Sequence, residues 1–276
     1  MKNICLAGDG WGTISAYQSL KSRFDSLYIV TRDEDLKELS RSSDVVFDDF
    51  PDIEFDIIVC SGYKPILSEE FVNSNRVINI HYSLLPKYRG MHSTVWAILN
   101  GETSMGLTIH EMNQYMDDGD IIHQYSFSYD NQTASEVIEV CNGYIEKELV
   151  YIIEEYLNGN IRPRKQSKEL ASWVCKRSLE DCKLDFSWDI TFLARFFKAL
   201  TLPYPLPFFY YGDKRLTVAK SKLVECDVKM TIGRIVNIDN EGLWIQVKGG
   251  YMVISLLLDD NGDNFNLSSF KIGERL

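Results

Sequence analysis

The 276-residue chain has four histidines, His81, His92, His110 and His123, all within a span of 43 residues. Around them runs a stretch, 79–120, dense in groups that can do chemistry. It holds Asn79-x-His81-x-Ser83-Leu-Leu-Pro86, Tyr88-Arg89-Gly90, Gly106-x-Thr108-x-His110 and Asp117-x-Gly119. Asn79 and His81 stand two apart at the end of an apolar run, so on a strand both side chains point to one face. Imidazole, with an ordinary pKa of about 6.5, moves protons near neutrality. An Asn amide can donate to a developing oxyanion, and an Asp from a later loop can hold the imidazole tautomer. Together these roles describe acyl transfer to an amine. No serine or cysteine stands out as a nucleophile, so direct transfer is simpler than a covalent intermediate. Two other readings compete. The histidine spacings of 11, 18 and 13 do not match a zinc site. Asp117-Asp118-Gly119-Asp120 begins like a calcium loop but lacks its second half. Structural histidines remain open beside acyl transfer on the residues alone.

The elements that must position these groups read as follows. Lys2–Ala7 is an apolar first strand, and Gly8-Asp-Gly-Trp-Gly12 is a tight turn. Thr13–Phe24 has helical spacing, Leu27–Thr31 is a second strand and Asp33–Ser42 a short polar helix. Asp44–Phe47, Asp56–Ser61 and Arg76–His81 are further strands, with a helical turn at Ser68–Ser74. Asp56–Ser61 is continuously apolar, as a strand buried on both faces must be. Strands alternating with helices imply an α/β fold with a parallel sheet. Ligands then bind at the carboxyl ends of the strands, where His81 stands. Ile121–Tyr129 alternates like a strand, Thr133–Leu157 is a long amphipathic helix, and Trp188–Leu200 is another helix. Pro203, Pro205 and Pro207 break the pattern, and short strands follow from Phe208 onward without helices between them. That texture predicts a small all-β domain or barrel.

Gly8-x-Gly10-x-Gly12 falls short of a dinucleotide fingerprint because position 13 is Thr. A glycine turn opening a helix still presents N–H groups and a positive dipole end to a phosphate. A plain tight turn is the alternative.

Charge narrows the partners. Net charge is −11 over the chain; residues 1–160 carry 11 basic and 26 acidic side chains, whereas 161–200 carry 9 and 5. Such an acidic protein is a poor nucleic-acid binder, since phosphate contacts need clustered Lys and Arg. The basic tract Arg162–Lys183 reads as a solvated linker or a face for a small phosphorylated ligand. No run approaches a membrane span, and the N-terminus is too short and wrongly flanked for a signal peptide. Six cysteines without metal spacing read as reduced thiols, so a cytoplasmic protein is expected.

The stretch Asn79-x-His81-x-Ser83-Leu-Leu-Pro86-x-Tyr-Arg-Gly90, with Trp96-Ala-x-x-Asn100-Gly101-Glu, Gly106-x-Thr108-x-His110-x-Met112 and Asp117-x-Gly119-x-Ile121, resembles the core of the folate-dependent formyltransferases. A later echo, Lys198-Ala-Leu-Thr-x-Pro-Tyr-Pro205, then Tyr211-Gly-Asp-Lys214 and Leu216-Thr217, is similar to the joint leading into the OB-like C-terminal domain of tRNA and sugar formyltransferases. The resemblance implies a Rossmann-like parallel-sheet core with its linker over 1–185 and a small OB-like β domain over 186–276. It matches Asn79, His81 and Asp117 to the family's catalytic Asn, His and Asp. It implies N10-formyltetrahydrofolate as co-substrate, with no metal. The pterin would lie near Tyr63, Lys64, Pro65, Ile66 and Leu67 and the loop Asn113, Gln114, Tyr115 and Met116.

The tRNA branch usually carries a basic insertion after the second strand; here that place is short and acidic. The sequence looks most like enzymes of bacterial surface-polysaccharide (O-antigen) synthesis that act on dTDP-4-amino-4,6-dideoxyglucose. A nucleotide-linked amino sugar is therefore the expected acceptor. Methionyl-tRNA and a non-catalytic nucleotide-binding module are the alternatives. Gly10, Trp11, Gly12 and Thr13, with Arg89, Gly90, Met91 and His92, are the candidate acceptor contacts. His110 and His123 are expected to be structural, and a homodimer is compatible with the sequence.

Overall fold

A computed structural model describes residues 2–202 and 204–276, so Pro203 lies outside the described residues. The chain divides into two compact units. The first comprises Met1–Ala97, Glu102–Asp130 and Glu136–Lys176; the second comprises Ile98–Gly101, Asn131–Ser135 and Arg177–Leu276.

The first unit is built on a seven-stranded sheet. Its elements are β1 (Ile4–Ala7), α1 (Trp11–Leu20), β2 (Tyr28–Val30), α2 (Glu34–Leu39), β3 (Val45–Phe47), β4 (Ile57–Ser61), α3 (Glu69–Ser74) and β5 (Val77–His81). Then follow β6 (Arg89–Gly90), α4 (Ser93–Leu99), β7 (Ser104–Glu111), β8 (Ile121–Ser128), α5 (Ala134–Leu157) and β9 (Trp173–Val174). The strand order is β3-β2-β1-β4-β5-β7-β8, and β6 pairs separately with β9. Along each central strand the side chains alternate between two apolar layers. Ile4, Leu6, Ile57, Val59, Ile78 and Ile80 join Tyr17 and Leu20 of α1 and Ile145 and Leu149 of α5 in one core. Cys5, Ala7, Ile58, Cys60 and Val77 form the layer on the opposite face. Asn79 and His81 alternate onto this second face, away from α1 and α5. The order reverses direction between β1 and β4, the place where open α/β sheets bind ligands.

The expected parallel sheet holds for β1 to β5. Beyond β5 it turns antiparallel: β7 pairs antiparallel with β5, and β8 with β7. Neither β7 nor α4 was anticipated. In β7, six consecutive residues, Met105–His110, are buried, so polar Thr108 and His110 interrupt an otherwise apolar run and hide its strand character. The helix α1 also starts two residues earlier than its spacing suggested, because Gly10 at φ 86 serves as its N-cap.

The second unit contains α6 (Ile190–Ala199) and five strands, β10 (Phe208–Tyr211), β11 (Lys214–Glu225), β12 (Ile235–Asp239), β13 (Gly242–Val247) and β14 (Gly250–Leu258). They form one antiparallel sheet in the order β10-β11-β14-β13-β12, the all-β domain expected. All six cysteines are unpaired. Among the described residues no helix is long and apolar enough to cross a membrane.

Candidate active site

The carboxyl end of β5 delivers two side chains to one place. Register then adds a third. In the antiparallel pair with β7, Asn79 stands directly opposite His110 and His81 opposite Thr108. Cross-strand partners on one face touch, and the Asn79 amide nitrogen lies 3.2 Å from His110 Nε2. The loop after β7 supplies Asp117. Its carboxylate sits between the others: Oδ2 is 3.5 Å from His81 Nδ1, and Oδ1 is 3.5 Å from His110 Nε2 and 3.4 Å from Asn79 Nδ2. The backbone N–H of Gly90 donates to Oδ2 at 2.7 Å. Thus the Asn79, His81 and Asp117 drawn from the sequence come together, and His110, expected to be structural, joins them.

Tautomers follow from the remaining partners. His110 Nδ1 faces the Glu111 carbonyl at 2.7 Å and must donate to it, which leaves Nε2 to accept from Asn79 when the ring is neutral. His81 Nε2 faces the Tyr88 carbonyl at 2.8 Å while Nδ1 faces Asp117. The ring of His81 therefore lies between two acceptors but carries one N–H when neutral. A second proton would satisfy both. Opposing this, His81 is only 7% exposed, and burial lowers its pKa below the ordinary value, with Asp117 pulling the other way. Burial would raise the Asp117 carboxyl, but the neighbouring His81 and His110 imidazoles and the hydrogen bond from the Gly90 N–H outweigh it and hold the group at about 2. Near neutrality Asp117 is therefore a carboxylate, beside a His81 ring that burial disposes to its neutral form.

Three non-glycine residues around this cluster adopt left-handed backbone: Tyr88 (φ 60), His92 (φ 60) and Asp117 (φ 50). Such conformations persist where surrounding contacts over-determine them and gather at functional sites. The chain also approaches itself closely here. A Cβ on Gly90 would meet the Val174 carbonyl, and one on Gly119 the Glu111 carbonyl.

The two loops expected to hold a pterin lie on the same face as Asn79 and His81. Tyr63 and Leu67 pack against the second apolar layer, as does Met112, the residue before the 113–116 loop. With its amide nitrogen turned to the Glu69 carboxylate, 2.8 Å away, Gln114 ties the second loop to the start of α3. Lys64, Pro65, Ile66, Tyr115 and Met116 are exposed; Ile66 at 97% offers apolar surface with nothing packed on it. Asn113 turns its side chain onto the Tyr115 N–H at 2.9 Å and shapes the loop.

The candidate acceptor contacts separate into two groups. Trp11 and Met91 are exposed. Gly10, Gly12, Thr13, Arg89 and Gly90 have structural duties. The Gly10 N–H donates to Asp33 at 2.7 Å, so a carboxylate of the chain already occupies part of the anion-ready turn. Thr13 is fully buried and its hydroxyl donates to the Ser61 carbonyl. Gly12 is pressed against the Tyr82 hydroxyl and Ser61 Oγ, leaving no room for a side chain. Arg89 departs furthest from its expected role. It is 4% exposed, its guanidinium is 2.5 Å from Asp118, it donates twice to Gln166, and it lies over the Trp173 ring. A side chain so engaged braces the site from behind.

The basic tract expected to be a linker or phosphate face does a different job. Arg164 exchanges two backbone hydrogen bonds with Ile121 at the start of β8, and Gln166 donates to the carbonyls of Asp117 and Gly119. Lone polar residues in a basic segment carry no sequence pattern that announces such contacts. His123 is stacked on Tyr144 and hydrogen-bonded to its hydroxyl at 2.6 Å, a structural role. Among the described residues no group of His, Cys, Asp and Glu is placed to hold a metal ion.

With this geometry in view, the chain can be set beside known proteins. A family model described as formyl transferase matches residues 18–148, and one described as formyl transferase, C-terminal domain, matches 176–275. Methionyl-tRNA formyltransferase of Clostridium acetobutylicum is 28% identical over 234 residues, covering 84% of this chain and 75% of the relative. Among solved structures, an N-formyltransferase from Helicobacter canadensis, in complex with folinic acid and dTDP-3-aminofucose, superposes with a TM-score of 0.69 at 19% identity, covering 96% of this chain and all of that one. HypX from Aquifex aeolicus, in complex with tetrahydrofolic acid, gives 0.68 at 18% identity; this chain covers 45% of its length. At these identities the structures establish the fold.

Proposed function

The chain belongs to the formyl transferase family, enzymes that transfer formyl groups, and from that premise we propose which donor, acceptor and residues it uses. The donor is N10-formyltetrahydrofolate and the acceptor the amine of a nucleotide-linked amino sugar. dTDP-4-amino-4,6-dideoxyglucose is the first candidate, in a cytoplasmic step of bacterial surface-polysaccharide (O-antigen) synthesis. Residues 1–185 serve as the catalytic core with its connecting segment, and 186–276 as an OB-like accessory domain.

One observation carries this reading: Asn79, His81 and Asp117 meet within hydrogen-bond reach beside two exposed apolar loops. Those loops, 63–67 and 113–116, fit a planar pterin. Tyr63 and Leu67 supply apolar walls, and Ile66, Tyr115 and Met116 supply apolar surface next to Asp117. When bound, the folate supplies the formyl carbon. His81 takes the proton from the attacking amine at a ring nitrogen as the amine bonds to the formyl carbon, and would return it to N10 as the carbon–N10 bond breaks; the transient imidazolium satisfies both the Asp117 carboxylate and the Tyr88 carbonyl. Asp117, ionised throughout, orients the ring and offsets its charge. Asn79 turns an N–H toward the negative charge that develops on the formyl oxygen. Trp11, Met91 and His92 remain the candidates for the sugar nucleotide.

Two observations favour a sugar over tRNA: the net charge of −11 and the acidic segment after β2. The sugar nucleotide in the Helicobacter complex supports the same choice. The methionyl-tRNA formyltransferase among the relatives is the reason to keep tRNA in the test. That test supplies the formyl donor with dTDP-, UDP- and GDP-linked amino sugars and, separately, charged initiator tRNA. Formylation of a dTDP-amino sugar is expected. Formylation of tRNA alone replaces the sugar reading with the translational one. No product with nucleotide still bound leaves a binding module.

A further inference from the structure

Asp117 can face both imidazoles only because its backbone is left-handed, at φ 50. Asp is among the residues that tolerate this conformation, but at a cost that surrounding contacts must offset. Gln166, from the segment before β9, reaches the loop from outside the sheet. Its amide Nε2 donates to the Asp117 carbonyl and the Gly119 carbonyl, both at 2.8 Å. Its Oε1 accepts from Arg89 Nε at 3.2 Å and Nη2 at 2.7 Å. Both N–H groups and the oxygen are thereby spent. Arg89 belongs to β6, and the next residue, Gly90, is the donor to the Asp117 carboxylate. One amide therefore ties the backbone of Asp117 to the strand that holds its side chain.

We propose that Gln166 is a positioning residue: it clamps Asp117 in the turn that aims its carboxylate at His81 and His110. This rests on the catalytic reading above and deepens it. The groups facing His81 are Asp117, His110 and the Tyr88 carbonyl; those facing Asp117 are His81, His110, Asn79 and the Gly90 N–H.

The test compares Q166M, D117N and the double variant in two ways. In the free protein, the His81 imidazole is titrated by NMR, which needs no acceptor. D117N is expected to lower the titration point by about one unit, as loss of a neighbouring anion does. Q166M should move it the same way by most of that amount, and the double variant no further than D117N. In turnover with N10-formyltetrahydrofolate and dTDP-4-amino-4,6-dideoxyglucose, Q166M should lower kcat about 10- to 100-fold with little change in KM. In the D117N background the same substitution should cost little. Q166E keeps the acceptor for Arg89 and removes both donors, so it should reproduce the kcat loss even where Q166M folds poorly. Wild-type His81 titration in Q166M, wild-type kcat in Q166E, or an undiminished loss in the D117N background overturns the clamp. So does a D117N variant whose His81 titrates normally. A wild-type protein that turns over no acceptor overturns the functional reading alone; the titration then decides the clamp.

Discussion

At the carboxyl end of β5 the chain buries His81 and His110 beside a carboxylate and bends three non-glycine residues into left-handed backbone. In the sheet of the second unit it buries Leu243, Ile245, Val247, Met252 and Ile254 in regular antiparallel register. The buried polar side chain there, Gln246, gives its amide to the carbonyls of Val247, Gly250 and Val228 at 3.0, 3.2 and 3.2 Å, and so ties the β13–β14 hairpin to the segment before β12. Both regions bury polar groups. In the first, the partners include titratable side chains from different elements; in the second, they are backbone carbonyls. Substitutions in the two regions should therefore separate turnover from stability.

The largest effect belongs to His81. H81N should lower kcat about 10³-fold, near 4 kcal/mol in the barrier, with nucleotide affinity little changed. Steady-state kinetics with a binding titration checks this; wild-type-like turnover would remove His81 from catalysis. I245A in β13 should do the reverse. Ile245 is fully buried, so its loss should destabilise by about 2–5 kcal/mol while the folded fraction keeps its kcat. Denaturant unfolding beside specific activity reads both, and a matching collapse of kcat would blur the distinction.

Asp117 connects the two properties. Its carboxyl is held at about 2, against an ordinary 3.8. A lowered carboxyl pKa adds stability that is full above the unfolded value and is lost as pH falls through the folded one. Here that window runs from 3.8 down to about 2, and the amount is on the order of 2 kcal/mol. Acid unfolding of D117N should lack that loss; identical curves for variant and wild type would contradict it. The smallest effect is expected at Lys222, whose ion pair with Glu241 is 2.8 Å long but about half exposed. K222A should change stability by less than about 1 kcal/mol and leave turnover alone.

Much of this contrast was legible in the sequence. The apolar runs of β1, β4 and β5 and the period-two placement of Asn79 and His81 were enough to set the strand end and its face. The short strands after Phe208 announced the second sheet. Residues fixed by register or by distant loops were not legible. His110 reaches Asn79 because β7 runs antiparallel to β5 with those two residues opposed, and no local pattern marks β7 as a strand. Arg89 was expected to contact the acceptor as part of the loop 89–92. Its burial depends on Gln166 and Asp118, 77 and 29 positions away.

The most direct measurement follows a carbon-labelled formyl group by NMR from N10-formyltetrahydrofolate in the presence of wild-type protein and dTDP-4-amino-4,6-dideoxyglucose. Direct transfer to a primary amine predicts one new formamide signal on the sugar, growing as the donor signal falls, and none with H81N. A labelled formyl group that stays on the protein, or one released only as formate with every amino sugar tried, would contradict the account.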